Sequence, residues 1–150
     1  MMDTADLIQV NKDYELAIET ALGGSIQNIV TDNEQTAKTL IEFLKKNRYG
    51  RATFLPLSSV SARGEFAQKE ALKEPGVIGI ASDLVSADRQ YQGLIRYLLG
   101  RVLVVDHIDH AIAIGRKYRH TLRMVTIEGD SLNPGGSMTG GAFKNNSNLL

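Results

Sequence analysis

The chain repeats itself, and the repeat restricts the fold more than any local motif does. Moving the first segment forward by 77 positions lays Asp6-Leu7-Ile8 on Asp83-Leu84-Val85, Tyr14 on Tyr91, Ile18 on Ile95 and Leu22-Gly23 on Leu99-Gly100. In the first copy, Tyr14, Ala17, Ile18, Ala21 and Leu22 recur at helical spacing. Asp13 stands where a helix cap belongs, and Gly23 where a helix ends in a left-handed residue. Residues 26–30 read as a strand. Thr31-Asp32-Asn33-Glu34 has the form of a capping box and opens a second helix with an apolar stripe at Ala37, Leu40, Ile41 and Leu44. Residues 51–55 read as the next strand, halted by Pro56. The second copy repeats this order: a helix with Tyr91, Leu94, Ile95, Leu98 and Leu99 on one face, a strand at 102–105, a helix at 109–118 and a strand at 122–127. Duplicated helix–strand–helix–strand units predict an α/β (α+β) fold with two pseudo-symmetric halves, about 1–57 and 76–143. A connector of about 58–75, rich in Ser, Lys and Glu, joins them and has room for a short helix.

The chain of 150 residues, 43% hydrophobic, suffices for one core or two small packed halves. Zero formal net charge means that any nucleic-acid surface has to come from local clustering. The absence of cysteine excludes disulfides and thiolate metal sites and fits a reducing compartment. No apolar run approaches membrane-spanning length, and nothing at the N-terminus has the form of a signal peptide. The abrupt opening, Met1-Met2 followed at once by structured-looking sequence, reads as a piece of a longer protein.

One segment lacks a counterpart in the first half. After the strand at 122–127 comes Gly129-Asp130-Ser131-Leu132-Asn133-Pro134-Gly135-Gly136-Ser137-Met138-Thr139-Gly140-Gly141. Residues 125–132 read as strand, tight turn and strand, with Gly129-Asp130 at the turn. The glycines that follow leave an edge with little steric cover, and bare edges pair with other chains. Three other readings stand beside that one: a backbone nest for an anion, a flexible Gly/Ser linker, and a small nucleotide- or anion-binding enzyme. The segment has neither the G-x-x-x-x-G-K-[ST] nor the G-x-G-x-x-G pattern, and no G-x-S-x-G elbow.

Two basic clusters occupy equivalent places in the halves. Lys45, Lys46, Arg48, Arg51 and Arg63 lie in an acid-free stretch, and so do Arg116, Lys117, Arg119 and Arg123. Each runs from the end of a helix into the next strand, where cations complement the helix dipole or contact phosphate, with Tyr49 and Tyr118 beside them to stack. A monomeric DNA-binding module is therefore a further reading. Asp106-His107-Ile108-Asp109-His110 looks metal-binding, yet it opens a helix, where Asp106 or Asp109 serves as an ordinary cap, and no third ligand is evident. No metal site, catalytic residue or cofactor is assigned.

Several motifs in order resemble one family: Ala21-Leu22-Gly23-Gly24, Gly50-Arg51-Ala52-Thr53-Phe54-Leu55-Pro56-Leu57, Tyr97-Leu98-Leu99-Gly100, Val125-Thr126-Ile127-Glu128-Gly129-Asp130, and the most specific, residues 133–141. The chain resembles the hinge domain of SMC (structural maintenance of chromosomes) proteins of the bacterial condensin type. The resemblance implies a hinge fold whose sheets pair across a ring-like homodimer, seated between the two halves of an antiparallel coiled coil. The ATPase heads are carried elsewhere in such chains, which work in the cytoplasm at the nucleoid. It places Gly129, Gly135, Gly136, Ser137, Met138, Thr139, Gly140 and Gly141 at the dimer contact. It also implies DNA binding, for which Lys45, Lys46, Arg48, Arg51, Arg116, Lys117, Arg119 and Arg123 are the candidates. Residues 144–150 would begin the returning coil. Where some family members carry a further glycine pair, this chain has Lys144 and Asn145.

Overall fold

A computed structural model describes residues 2–60 and 64–142, so Arg63, Lys144, Asn145 and the expected start of the returning coil lie outside the described residues. The first half runs β1 (Met2–Asp3), α1 (Thr4–Leu7), β2 (Gln9–Val10), a 3-10 turn at Lys12–Tyr14, α2 (Glu15–Leu22), β3 (Ile29–Thr31), α3 (Glu34–Lys46) and β4 (Phe54–Pro56). The second half runs β5 (Val77–Ile80), a 3-10 turn at Ala81–Leu84, β6 (Val85–Ser86), a 3-10 turn at Arg89–Tyr91, α4 (Gln92–Leu99), β7 (Val102–Val105), α5 (Ile108–Lys117) and β8 (Arg123–Thr126). Two further strands, β9 (Ser131–Leu132) and β10 (Met138–Thr139), complete it.

The duplication holds in three dimensions. In the first sheet, β1 is antiparallel to β3 and β3 parallel to β4. In the second, β5 is antiparallel to β7 and β7 parallel to β8. Both sheets are open, and only the second continues, through β9 to β10. The strands β1 and β5 were not expected from the sequence, because two to four residues carry no readable period.

Local chemistry differs from the sequence reading at three helix starts. Asn11, not Asp13, accepts the cap hydrogen bond, from Asp13 N–H at 2.9 Å, and α2 begins only after the 3-10 turn. Asn33 caps α3 by accepting from Thr36 N–H at 2.9 Å. His107 caps α5, its Nδ1 accepting from Asp109 N–H at 3.1 Å, in place of Asp106 or Asp109. Gly23 ends α2 at φ 54°, where glycine is favoured.

The halves are interleaved. Ala17, Ile18, Ala21 and Leu22 of α2 pack with Val102, Val104 and Val125 of the second sheet and with Ile95 and Leu99 of α4. In return Leu94 of α4 joins Leu7, Val30 and Leu55 of the first half. Between them β2 pairs with β6, Gln9 lying opposite Ser86. On the far face of the second sheet, Ala111 and Ile114 of α5 cover Leu103, Val105, Met124 and Leu132. The connector adds buried Phe66 and Ala71 to that layer and forms a 3-10 turn at Lys69–Lys73. No helix among the described residues is long and apolar enough to cross a membrane.

The layer under α3 is thinner. Of the stripe expected to be buried, only Ala37 is; Leu40 and Leu44 are half-buried, and Ile41 is 40% exposed. The cause is topological: β4 ends its sheet, whereas β8 is followed by β9 and β10, which widen the surface on which α5 sits.

Candidate dimerisation edge and basic clusters

The glycine segment folds as two successive tight turns. Gly129, at φ 91°, closes the first, and β9 returns antiparallel to β8 with Leu132 opposite Met124. Gly135 and Gly136, at φ 94° and 103°, make the second, and β10 runs antiparallel to β9 with Met138 opposite Leu132. Side chains with β carbons are strained at such angles, so these three glycines are required by the turns themselves. The second turn is tied further by Asn133 N–H to Ser137 O at 2.9 Å and by Asn133 Nδ2 to Ser137 Oγ at 3.2 Å.

Gly140 serves a different purpose. A β carbon there would stand 2.7 Å from Asp130 Oδ1. Asp130 is fixed in the first turn: Thr126 Oγ1 donates to its Oδ2 at 2.8 Å, and its own N–H donates to Thr126 Oγ1 at 3.1 Å. Gly140 therefore clears room for a carboxylate of its own chain. Gly129 is buried, with Thr20 Oγ1 of α2 at 3.5 Å from its carbonyl oxygen. Residues 134–142 are exposed along the edge, and Met138, 50% exposed, is the large apolar side chain among them.

These turns use their own amides. Gly129 N–H donates to Thr126 O at 3.0 Å, Gly135 N–H to His120 O at 2.8 Å and Gly136 N–H to Asn133 O at 2.9 Å. A backbone nest for a phosphate needs such groups convergent and free, so the segment is a built strand edge, neither an anion cradle nor a loose linker.

The first half has an open edge of its own. Among the described residues no strand follows β4 in its sheet. Beside it Ile41, Leu44, Lys45, Tyr49, Gly50, Arg51 and Ala52 line a groove of about 200 Å³. Phe43 and Tyr49 are 53% and 60% exposed and lean together, with ring centroids 5.8 Å apart. Large apolar side chains gathered at a bare sheet edge make this surface a candidate contact.

The two basic clusters are unequal. Lys45, Lys46, Arg48 and Arg51 are exposed and make no ion pair among the described residues. In the second cluster, Lys117 Nζ sits 2.8 Å from Glu74 Oε2, and that hydrogen bond holds the lysine pKa above its usual value. Arg123 is half-buried at the start of β8 and lines a groove to which none of the others contributes. Arg116 and Arg119 stay exposed. The sequence reading treated all eight cations alike; Glu74 lies 43 residues from Lys117, beyond the reach of any local pattern.

Arg48 and Arg119 share a further property. Both adopt positive φ, 54° and 57°. Each follows the cap of its helix, with Tyr49 N–H donating to Leu44 O at 3.0 Å and His120 N–H to Gly115 O at 2.8 Å. This is the Schellman ending, in which glycine is the usual occupant. His120 is itself at φ 58°. At the other end of α5, Asp106 Oδ1 lies 2.7 Å from His110 Nδ1, and that hydrogen bond lowers the Asp106 pKa. No group of three potential metal ligands occurs among the described residues.

Comparison with known proteins agrees with this geometry. Residues 4–115 match the family model described as the SMC proteins flexible hinge domain. The chromosome partition protein Smc of Bacillus subtilis is 46% identical over 147 residues, and that of Lactiplantibacillus plantarum 44% over 148; both matches cover 97% of this chain. The chain spans 12% of the length of these relatives. Among solved structures, an asymmetric dimer of the Geobacillus stearothermophilus SMC hinge domain superposes with a TM-score of 0.89 at 45% identity, covering 96% of this chain and 60% of that one. The Pyrococcus furiosus Smc hinge domain with an extended coiled coil gives 0.79 at 31% identity, covering 99% and 53%. The family model stops short of the glycine segment, which the longer alignments to the Smc proteins reach. A duplicated, interleaved fold with this match over most of its length leads to one assignment: the chain belongs to the SMC flexible hinge domain family.

Proposed function

We propose that this chain is a dimerisation hinge whose glycine-built edge, β10, adds to the bare β4 edge of a second copy. One observation carries the reading: the second half completes its own sheet with β9 and β10, and the first half leaves the equivalent edge and its groove open. Met138 is the apolar anchor for that groove. Gly129, Gly135, Gly136 and Gly140 shape the edge, and Ser137, Thr139 and Gly141 lie along it. Both surfaces occur on every copy, so a twofold dimer makes the contact twice and closes. In the whole protein such a dimer joins two coiled-coil arms. The solved Geobacillus relative, whose dimer is asymmetric, supports association of two hinge copies, and the Pyrococcus relative, with its extended coil, supports attachment to coiled-coil arms. The role is mechanical rather than catalytic.

Met138→Asp and Ile41→Asp each place a charge in the proposed contact. Light scattering over a dilution series is expected to show the parent chain as a dimer and both variants as monomers with an unchanged circular dichroism spectrum. A dimer that survives both substitutions would overturn the proposed edge.

DNA is the second proposed partner, supported by the exposed Lys46 and Arg48, which lie outside the groove that Lys45 and Arg51 line, and by the exposed Arg116 and Arg119. Reversing the charges of Lys46 and Arg48 is expected to weaken DNA binding and to reduce the salt slope by about two. Lys117→Ala, which removes a cation already held by Glu74, is expected to leave that slope nearly unchanged. Equal slopes for all variants would remove DNA contact from this surface. Within a bacterial cell the site of action is the chromosome in the cytoplasm.

A further inference from the structure

Arg123 begins β8, where the strand alternation sends Met124 to the α5 face and Val125 to the α2 face. The Arg123 side chain therefore emerges on the α2 and α4 side, at the end of the sheet, into a groove of about 460 Å³. Tyr97 and Arg101 border that groove at the end of α4, Gln68 borders it on the connector and Thr121 on the approach to β8. Its apolar surface comes from Phe66, Leu98, Val102, Leu122 and Pro134.

Burial is the cause that lowers the Arg123 pKa, and no ion pair to it exists among the described residues. The acid in the groove, Glu65, is committed to Lys69 at 3.0 Å. A partly desolvated guanidinium without an acid gains from an anion that completes it. Arg101 lines the same groove and adds positive charge there, and the planar fork of Arg123 suits an oxyanion bidentately. The volume lies within the range of small-molecule sites, which combine apolar lining with a few fixed polar groups.

We infer that this groove binds a small organic oxyanion, a phosphate ester or carboxylate with an apolar body, whose charged end Arg123 holds beside Arg101. The apolar body lies against Phe66, Leu98 and Pro134. The site is separate from the proposed dimer edge: β10 borders it nowhere, and Lys45, Lys46, Arg48 and Arg51 are absent from its lining.

The test is a titration of the chain with phenyl phosphate, followed by NMR of the arginine Nε–H groups and the backbone amides. Inorganic phosphate, benzoate and a short DNA duplex form parallel arms. The expected result is a saturable shift at Arg123 Nε–H and at the Tyr97 and Thr121 amides. Arg123→Gln is expected to weaken binding at least about tenfold, as loss of a charged hydrogen bond does, with the remaining amide spectrum intact; Arg123→Lys is expected to restore part of it. Benzoate is expected to follow phenyl phosphate. Equal affinity for inorganic phosphate would remove the apolar body from the proposal. Non-saturating shifts spread over Arg116 and Arg119, or binding unchanged in Arg123→Gln, would overturn the site. So would an Arg123 shift produced by the duplex alone, which would return Arg123 to a DNA surface. Should Arg123→Gln fail to fold, the map of the parent chain alone decides.

Discussion

Arg48 and Arg119 hold the left-handed position that glycine normally fills at a Schellman ending. A residue with a β carbon there costs about 1 kcal/mol, so local backbone stability does not account for arginine at either position. Arg119→Gly is expected to raise stability by about 0.5–1 kcal/mol, read as a higher urea midpoint at constant m, while weakening DNA binding. A destabilised variant would mean that the Arg119 side chain supports the fold. Gly140 poses the opposite case, a glycine held by a neighbouring carboxylate. Gly140→Val is expected to push Asp130 off Thr126 and weaken both turn and dimer; in Asp130→Ala the same substitution should do less harm, and a double-mutant cycle reads that coupling. Strictly additive effects would deny it. Sequence inspection marks the glycines as special because their density near a strand is abnormal. It cannot divide them into those that bend the chain and those that make room, since the carboxylate at Gly140 is brought there only when β10 folds back along β9.

The helices α3 and α5 are repeat equivalents with different surroundings, and that difference carries the functional reading. The apolar period placed Ala37, Leu40, Ile41 and Leu44 correctly on one stripe, because the period is a property of the helix alone. How deeply the stripe is buried depends on whether further strands follow β4, which no window of α3 contains. For α5 the answer is β9 and β10; for α3 it is a groove. A buried side chain of this size contributes about 1.5–3 kcal/mol relative to its exposed state, so seating Met138 and covering Ile41 are enough to bias association when each contact is made twice. The same separation explains the caps: the turn before each helix was legible, and the acceptor atom was not, because Asn11, Asn33 and His107 were chosen over neighbours of similar chemistry by backbone angles.

At the scale of the molecule the two surfaces make a prediction that neither makes alone. Ile41→Asp spoils the groove but keeps the strand, and Met138→Asp does the reverse. Mixed together, the two variants are expected to form a heterodimer joined by one intact contact, while each alone stays monomeric; native mass spectrometry or light scattering reads this directly. Absence of the mixed species would rule out a strand-to-groove geometry. The order of elements and the duplication were visible in the sequence, since they rest on a constant offset and on helical spacing. Interleaving was not: the offset makes the halves look separable, and only packing shows that α2 lies on the second sheet and Leu94 of α4 under the first. The β2–β6 ladder, finally, sets Gln9 against Ser86, its own equivalent in the repeat. The axis relating the halves passes through that pair. In terms of assembly the chain carries a dimer within itself: two equivalent strands meet as those of identical subunits would across a twofold axis, and the connector tethers them.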